Sequence, residues 1–146
     1  MEKLKTKLET FEQALKTLKE SIESIEEEFP ASAHTSKTYI VYRDSLIQCF
    51  EYCTDLVWKV LKIYLEDFEK TSLDTSAPRG IVRATVNIKL LSEDEGAQYM
   101  QMITNRNMTS HMYHQEVAEN IARQVPSFYA LMAATVERLK KNIEQK

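Results

Sequence analysis

Glycine and proline are scarce in this sequence: two Gly and three Pro stand among 146 residues. Strands and hairpins draw on those residues for their turns, so a sheet-based fold is excluded and an all-α fold is expected. Gly80 and Gly96 are isolated from one another, which also excludes the glycine-rich loops that cradle phosphates in P-loop and dinucleotide-binding proteins. Cysteine is equally sparse. Cys49 and Cys53 lie four apart in a helical stretch, and without further Cys or His at ligand spacing they read as small core residues. Neither a metal nor a cofactor is expected. Basic residues do not predominate, with 19 Lys and Arg against 22 Asp and Glu for a net charge of -3. Sequence-independent attraction to nucleic acid is therefore not expected, and neither is a DNA partner. The longest uncharged run, Gln124 to Val136, falls short of a membrane span. A soluble, cytoplasmic protein with no membrane partner is expected.

What the chain does have is apolar content, 43% of it. That suffices for one core at this length, so residues 1–146 are expected to form a single domain. Leu4, Leu8, Phe11, Leu15, Leu18, Ile22 and Ile25 recur in alternating steps of four and three, predicting a helix from Glu2 to Glu28 that Phe29-Pro30 ends. A second helix is predicted from Thr38 to Lys70. Winding it at about 100° per residue puts Leu46, Phe50, Cys53, Val57, Leu61 and Tyr64 on one line, flanked by Ile47 and Trp58. Only the strip of Asp44, Gln48, Glu51, Asp55, Lys59 and Lys62 stays polar. So wide an apolar face suits a helix central to a bundle or one covered by a second subunit, with Ile47 and Trp58 expected at the subunit contact.

Pro78 opens a third helix running to about Leu91. Ser92 and Glu95 form a capping box that starts a fourth, predicted to end near Thr104. Asn107 to Ser110 reads as a polar break, with Thr109 or Ser110 capping the next helix. Pro126 reads as an interruption, after which Phe128 to Ile143 rebuild an apolar seam. The sum is an up-and-down four-helix bundle with one or two extra short helices.

One stretch concentrates chemistry. Arg106-Asn-Met-Thr-Ser-His111-Met-Tyr113 gathers a permanent cation, an imidazole and a phenol within eight residues. Together with Arg43-Asp-Ser-Leu-Ile-Gln-Cys-Phe-Glu-Tyr-Cys-Thr-Asp-Leu-Val-Trp-Lys59, it resembles the HEPN proteins that serve as nucleotidyltransferase substrate-binding subunits. The second stretch resembles their second-helix signature, and the first is similar to their Arg-x4-His-x-Tyr motif. The chain differs at Cys49, where a basic residue is expected, and at Thr54, where an aromatic is.

The resemblance implies a homodimeric bundle working beside a separately encoded minimal nucleotidyltransferase, as in a toxin-antitoxin pair. For toxin members it implies a metal-independent ribonuclease that acts on RNA, here with Arg106 and His111 as catalytic residues in a cleft between subunits. It also implies that Tyr113 accepts nucleotidyl groups from the partner enzyme. Other members of the family are described only as substrate-binding subunits. The chain is not itself expected to be the nucleotidyltransferase, because it lacks a Gly-Ser phosphate loop followed by an Asp-x-Asp metal pair.

The residues allow this chemistry on their own terms. RNA cleavage without metal needs a base, an acid and a cation for the developing phosphorane charge. An imidazole serves as either base or acid, and a guanidinium offers a planar fork to phosphate oxygens. One His111 per chain is a meagre supply for two proton transfers, which a two-fold dimer would double. Glu51, on an acidic line with Asp44 and Asp55, and Asn107 within the motif are supporting candidates.

Ordinary structural roles stand beside each assignment. Arg106 could bond carbonyls at a helix end, and His111 could satisfy a neighbouring backbone group. Tyr113 could be a packed aromatic, and Glu51 part of a solvated strip. His114 reads as a solvated helix residue, Arg79 and Arg83 as solvated cations, and His34 as a loop residue with no role.

Overall fold

The structure, a computed structural model, describes residues 1–145. Among them it is all helical: α1 spans Glu2–Glu28, α2 Lys37–Ile63, α3 Pro78–Asn87, α4 Glu93–Met108 and α5 Gln115–Glu144. Helix α1 follows its four-three seam from end to end, and Leu4, Leu8, Phe11, Leu15, Leu18 and Ile22 are all buried. Phe29 leaves the helix in extended conformation, as a residue before proline must. The seam packs mainly on α2, and α5 closes the groove between the two. Helices α3 and α4 pair with each other across the far side of α2.

Helix α2 is the centre of the bundle. Its predicted apolar line is buried throughout, and so are the flanking Ile47 and Trp58. This corrects the subunit-contact assignment for those two residues. Ile47 has no exposed surface, and Trp58 meets Tyr99 edge-on at 5.7 Å within the same chain. Surface of that size leaves water only once, and here α1, α4 and α5 have already taken it.

Several boundaries differ from expectation for local reasons. The end of α2 loosens into a π-turn over Tyr64–Phe68 rather than continuing to Lys70, which takes a left-handed φ of 57°. Helix α3 stops at Asn87, short of Leu91. There Lys89 turns left-handed with φ 63°, and the amides of Leu90 and Leu91 fold back onto the Thr85 carbonyl at 3.2 and 3.4 Å. Helix α4 begins with the predicted capping box: Ser92 Oγ accepts from the Glu95 amide at 3.1 Å, and Glu95 Oε1 from the Ser92 amide at 2.9 Å. It runs past Thr104 to Met108, so Arg106 belongs to its last turn.

Pro126 does not interrupt anything. Helix α5 is continuous through it over 30 residues. Proline removes the amide that would bond the Ala122 carbonyl, yet Ile121, Val125 and Phe128 on the same helix are all buried. Their burial outweighs one lost hydrogen bond. Near the break, side chains serve backbone carbonyls: Gln124 Nε2 donates to Asn120 O at 3.1 Å and Ser127 Oγ to Gln124 O at 2.8 Å.

Candidate functional site

The motif forms the corner where α4 hands the chain to α5. Helix α4 ends at Met108, Thr109–His111 make one 3-10 turn, and α5 starts at Gln115 with His114 at its N-cap. Neither Thr109 nor Ser110 caps α5, as the sequence had led one to expect. The buried Thr109 hydroxyl instead donates to the Arg106 carbonyl at 2.8 Å and accepts from Arg106 Nη1 at 3.1 Å, tying the corner to the helix before it.

Arg106 reaches across to α2. Its Nε and Nη2 donate to the two carboxylate oxygens of Asp55, each at 3.2 Å, and Nη1 forms an ion pair with Glu51 Oε2 at 2.9 Å. Bonding to Asp55 and the field of both carboxylates push the guanidinium even further toward its charged form. Both Glu51 and Asp55 thus pair with Arg106, Asp55 through two hydrogen bonds and Glu51 through one ion pair. Formally the cluster carries two negative charges against one positive. A phosphate approaching Arg106 would meet that excess.

The other motif residues face outward. His111 is exposed, with its ring 6.2 Å from that of Tyr113. Tyr113 is 70% exposed and leans at 4.3 Å on the ring of His114, which is itself exposed at the start of α5 as expected. Asn107 is exposed on α4, and its carbonyl accepts from Ser110 Oγ at 3.4 Å. The turn thus brings His111, Tyr113 and His114 together at the surface, and it sets Arg106 back against α2.

A second polar cluster lies on the other side of the corner. Arg43 is 1% exposed. Its Nε and Nη2 donate to Asp44 Oδ1 at 3.1 Å, Nη2 also to Gln115 Oε1 at 2.7 Å, and Nη1 to Glu119 Oε1 at 3.4 Å. Glu119 faces His34 Nδ1 at 3.4 Å, while His34 Nε2 lies 3.2 Å from the Phe29 carbonyl. The His34 ring stacks on Tyr39 at 4.0 Å, and burial together with the Glu119 carboxylate raises the Tyr39 phenol well above its ordinary value. A cavity of about 320 Å³ opens here between α1, α2 and α5, with Ile22, Leu46, Ala122 and Pro126 among its apolar walls.

Sequence reasoning gave His34 and Arg43 no role. For Arg43 a signal existed: it sits three and four residues before Leu46 and Ile47, a cation on the apolar face of α2. For His34 there was none, because its partners come from sequence positions as distant as 119.

Cys53 is buried and Cys49 half-buried, and both are free thiols. The neighbouring Cys53 thiol holds Cys49 below its ordinary value, while the neighbouring Cys49 thiol and burial push Cys53 up. Thr54, buried where an aromatic was expected, satisfies its hydroxyl on the Phe50 carbonyl at 2.8 Å. Among the described residues no three His, Cys, Asp or Glu side chains converge as metal ligands, and no helix is long and apolar enough to cross a membrane.

A family model described as "nucleotidyltransferase substrate binding protein like" matches residues 6–141, which takes in both α2 and the Arg106 corner. The chain belongs to that family. Its fold is also that of two solved structures. One, from Thermus thermophilus, is 32% identical, with a TM-score of 0.74 over 88% of this chain and 98% of that one. The other, from Haemophilus influenzae, is described as revealing the fold of a substrate-binding domain of a nucleotidyltransferase. It is 22% identical, with a TM-score of 0.79 over 91% of this chain and 98% of that one. No curated protein matches the sequence.

Proposed function

We propose that this chain is a non-catalytic, substrate-binding subunit for a separately encoded nucleotidyltransferase, and that it presents the Arg106–Tyr113 corner to that enzyme. The observation that carries this reading is the contrast within the motif. Arg106 is neutralised by Glu51 and Asp55, whereas the Tyr113 ring is 70% exposed beside two imidazoles. A ribonuclease would want the opposite, a cation open to phosphate.

Tyr113 is then the group acted upon. Its phenol oxygen attacks the α-phosphorus of a nucleoside triphosphate, a P–O bond forms to tyrosine, the bond to the β-phosphate bridge breaks, and pyrophosphate leaves as the phenol gives up its proton. Family membership supports the partner. The exposed apolar side chains Val41 and Tyr52 on α2 support a homodimer that forms through that helix without using Ile47 or Trp58.

The deciding experiment incubates the purified chain with the partner nucleotidyltransferase and radiolabelled nucleoside triphosphates, beside a Tyr113→Phe variant, and separately assays total RNA in EDTA. Label on the wild type and none on Tyr113→Phe, with RNA left intact, is expected. RNA cleaved by the wild type but not by an Arg106→Ala, His111→Ala variant overturns the reading in favour of a ribonuclease toxin. Sedimentation of Tyr52→Glu at half the wild-type mass is the expected sign of the dimer, and equal masses refute it.

A further inference from the structure

The corner is strapped to α2 at both of its ends. At the entry, Arg106 is held by Glu51 and Asp55. At the exit, Gln115 and Glu119 on the first turns of α5 receive Arg43. Arg43 and Asp55 are twelve residues apart on one helix, roughly 18 Å along its axis, so a single rigid element carries both anchors. Between them Thr109 is buried and Met112 packs on the core, while His111 and Tyr113 project outward.

The two anchors are built differently. The Arg106 pairs lie at the surface, where exchange with water is easy and each pair contributes little. Arg43 is buried, and its planar fork bridges three side chains, two of them on α5. A buried guanidinium with its acceptors fixed has one low-energy arrangement, since any displacement strands a charge away from water. Lysine cannot reproduce it, because one ammonium has no fork with which to meet Asp44, Gln115 and Glu119 together. His114 provides no side-chain cap, so beside the burial of Ala118 and the pairing of Glu119 with His34, the hydrogen bonds from Arg43 to Gln115 and Glu119 are what tie the first turns of α5 to α2.

We propose that Arg43 is a positioning residue, which pins the first turns of α5 to α2 and so sets where His111 and Tyr113 stand relative to Arg106. The proposal deepens the reading of that corner as the presented surface and rests on it. Arg43 touches no reacting atom. It acts through Gln115 and Glu119.

The test compares wild type, Arg43→Lys and Gln115→Ala as full chains, by amide hydrogen exchange and by labelling of Tyr113. Gln115 is exposed, so its truncation leaves the core intact even where Arg43→Lys folds poorly. Exchange at residues 110–117 is expected to rise at least tenfold in both variants, with the buried seam from Phe128 to Leu139 as protected as in the wild type. For labelling, kcat should fall about tenfold with KM nearly unchanged, since the surface is still recognised but the phenol is poorly placed.

Unchanged exchange at the corner overturns the proposal, and so does a uniform rise along α5, which marks an ordinary stabilising role. A mobile corner labelled at the wild-type rate overturns it as well. If the wild type is never labelled, the functional reading has failed on its own account, and the exchange result still decides whether Arg43 holds the corner.

Discussion

Neutralising the two carboxylates on Arg106 should turn a site that repels phosphate into one that attracts it. In Glu51→Gln, Asp55→Asn the guanidinium keeps neutral oxygens of the same shape as partners, and the local formal charge changes from one negative to one positive. A phosphate seated on Arg106 would lie roughly 6 Å from each carboxylate. In the high effective dielectric of a surface, where Arg106 is 31% and Asp55 51% exposed, each repulsion is about 1 kcal/mol. Removing both gains about 2 kcal/mol, a factor of roughly 30 in affinity.

Fluorescence anisotropy with a labelled oligoadenylate, in EDTA at low salt, reads this directly. The gain should shrink at physiological salt. It should also vanish when Arg106→Ala is added, because the freed cation is its source. The lost pairs are exposed and cost at most about 1 kcal/mol of folding stability. Wild-type affinity in the double variant, or a gain that survives Arg106→Ala, refutes the idea that these carboxylates hold Arg106 away from phosphate.

Two predictions concern the frame. Arg138, donating to Glu95 at 2.6 Å, holds that carboxyl down to about 2 from an ordinary 4.5, with the Ser92 amide assisting. A carboxyl lowered by folding adds stability above its unfolded value and loses it as pH falls toward the folded one, so this contribution is complete above about pH 5 and fades toward pH 2. The drop corresponds to at most about 3 kcal/mol. With Arg138 at 42% exposure, about 1 to 2 is expected after screening. Urea titrations should show Glu95→Gln weaker than wild type by that amount at pH 6 and nearly equal to it at pH 2.5, and a gap independent of pH contradicts the assignment. Pro126→Ala should raise stability by about 2 kcal/mol. It restores a helical bond to Ala122 at an exposed position, worth about 3 kcal/mol in a helix interior, against about 1 lost to a more flexible unfolded chain. A lower melting temperature would show that the proline is needed for packing.

The sequence by itself determined the helical class, the extent of α1, the capping box of α4 and the buried line along α2. In each case the signal is local: residues within one or two turns decide whether a face is apolar or an end is capped. The same locality explains the misplaced boundaries. A left-handed Lys89 and a proline carried through α5 are choices that local propensity disfavours, made because residues on either side gain more by staying packed.

The motif could be read as a list of residue types but not as an arrangement. That Arg106 turns inward to Glu51 and Asp55 while Tyr113 turns outward depends on how α4 lies against α2, fifty residues earlier in the chain. The burial of Ile47 and Trp58 within one subunit, and of Arg43 against Gln115 and Glu119, depends likewise on packing between distant segments. An apolar face says only that something must cover it, and a cation on that face says only that it must be paired. Which segment covers and which carboxylate pairs was decided by the tertiary structure, because only the folded chain brings residue 43 to residue 119 and residue 106 to residue 55.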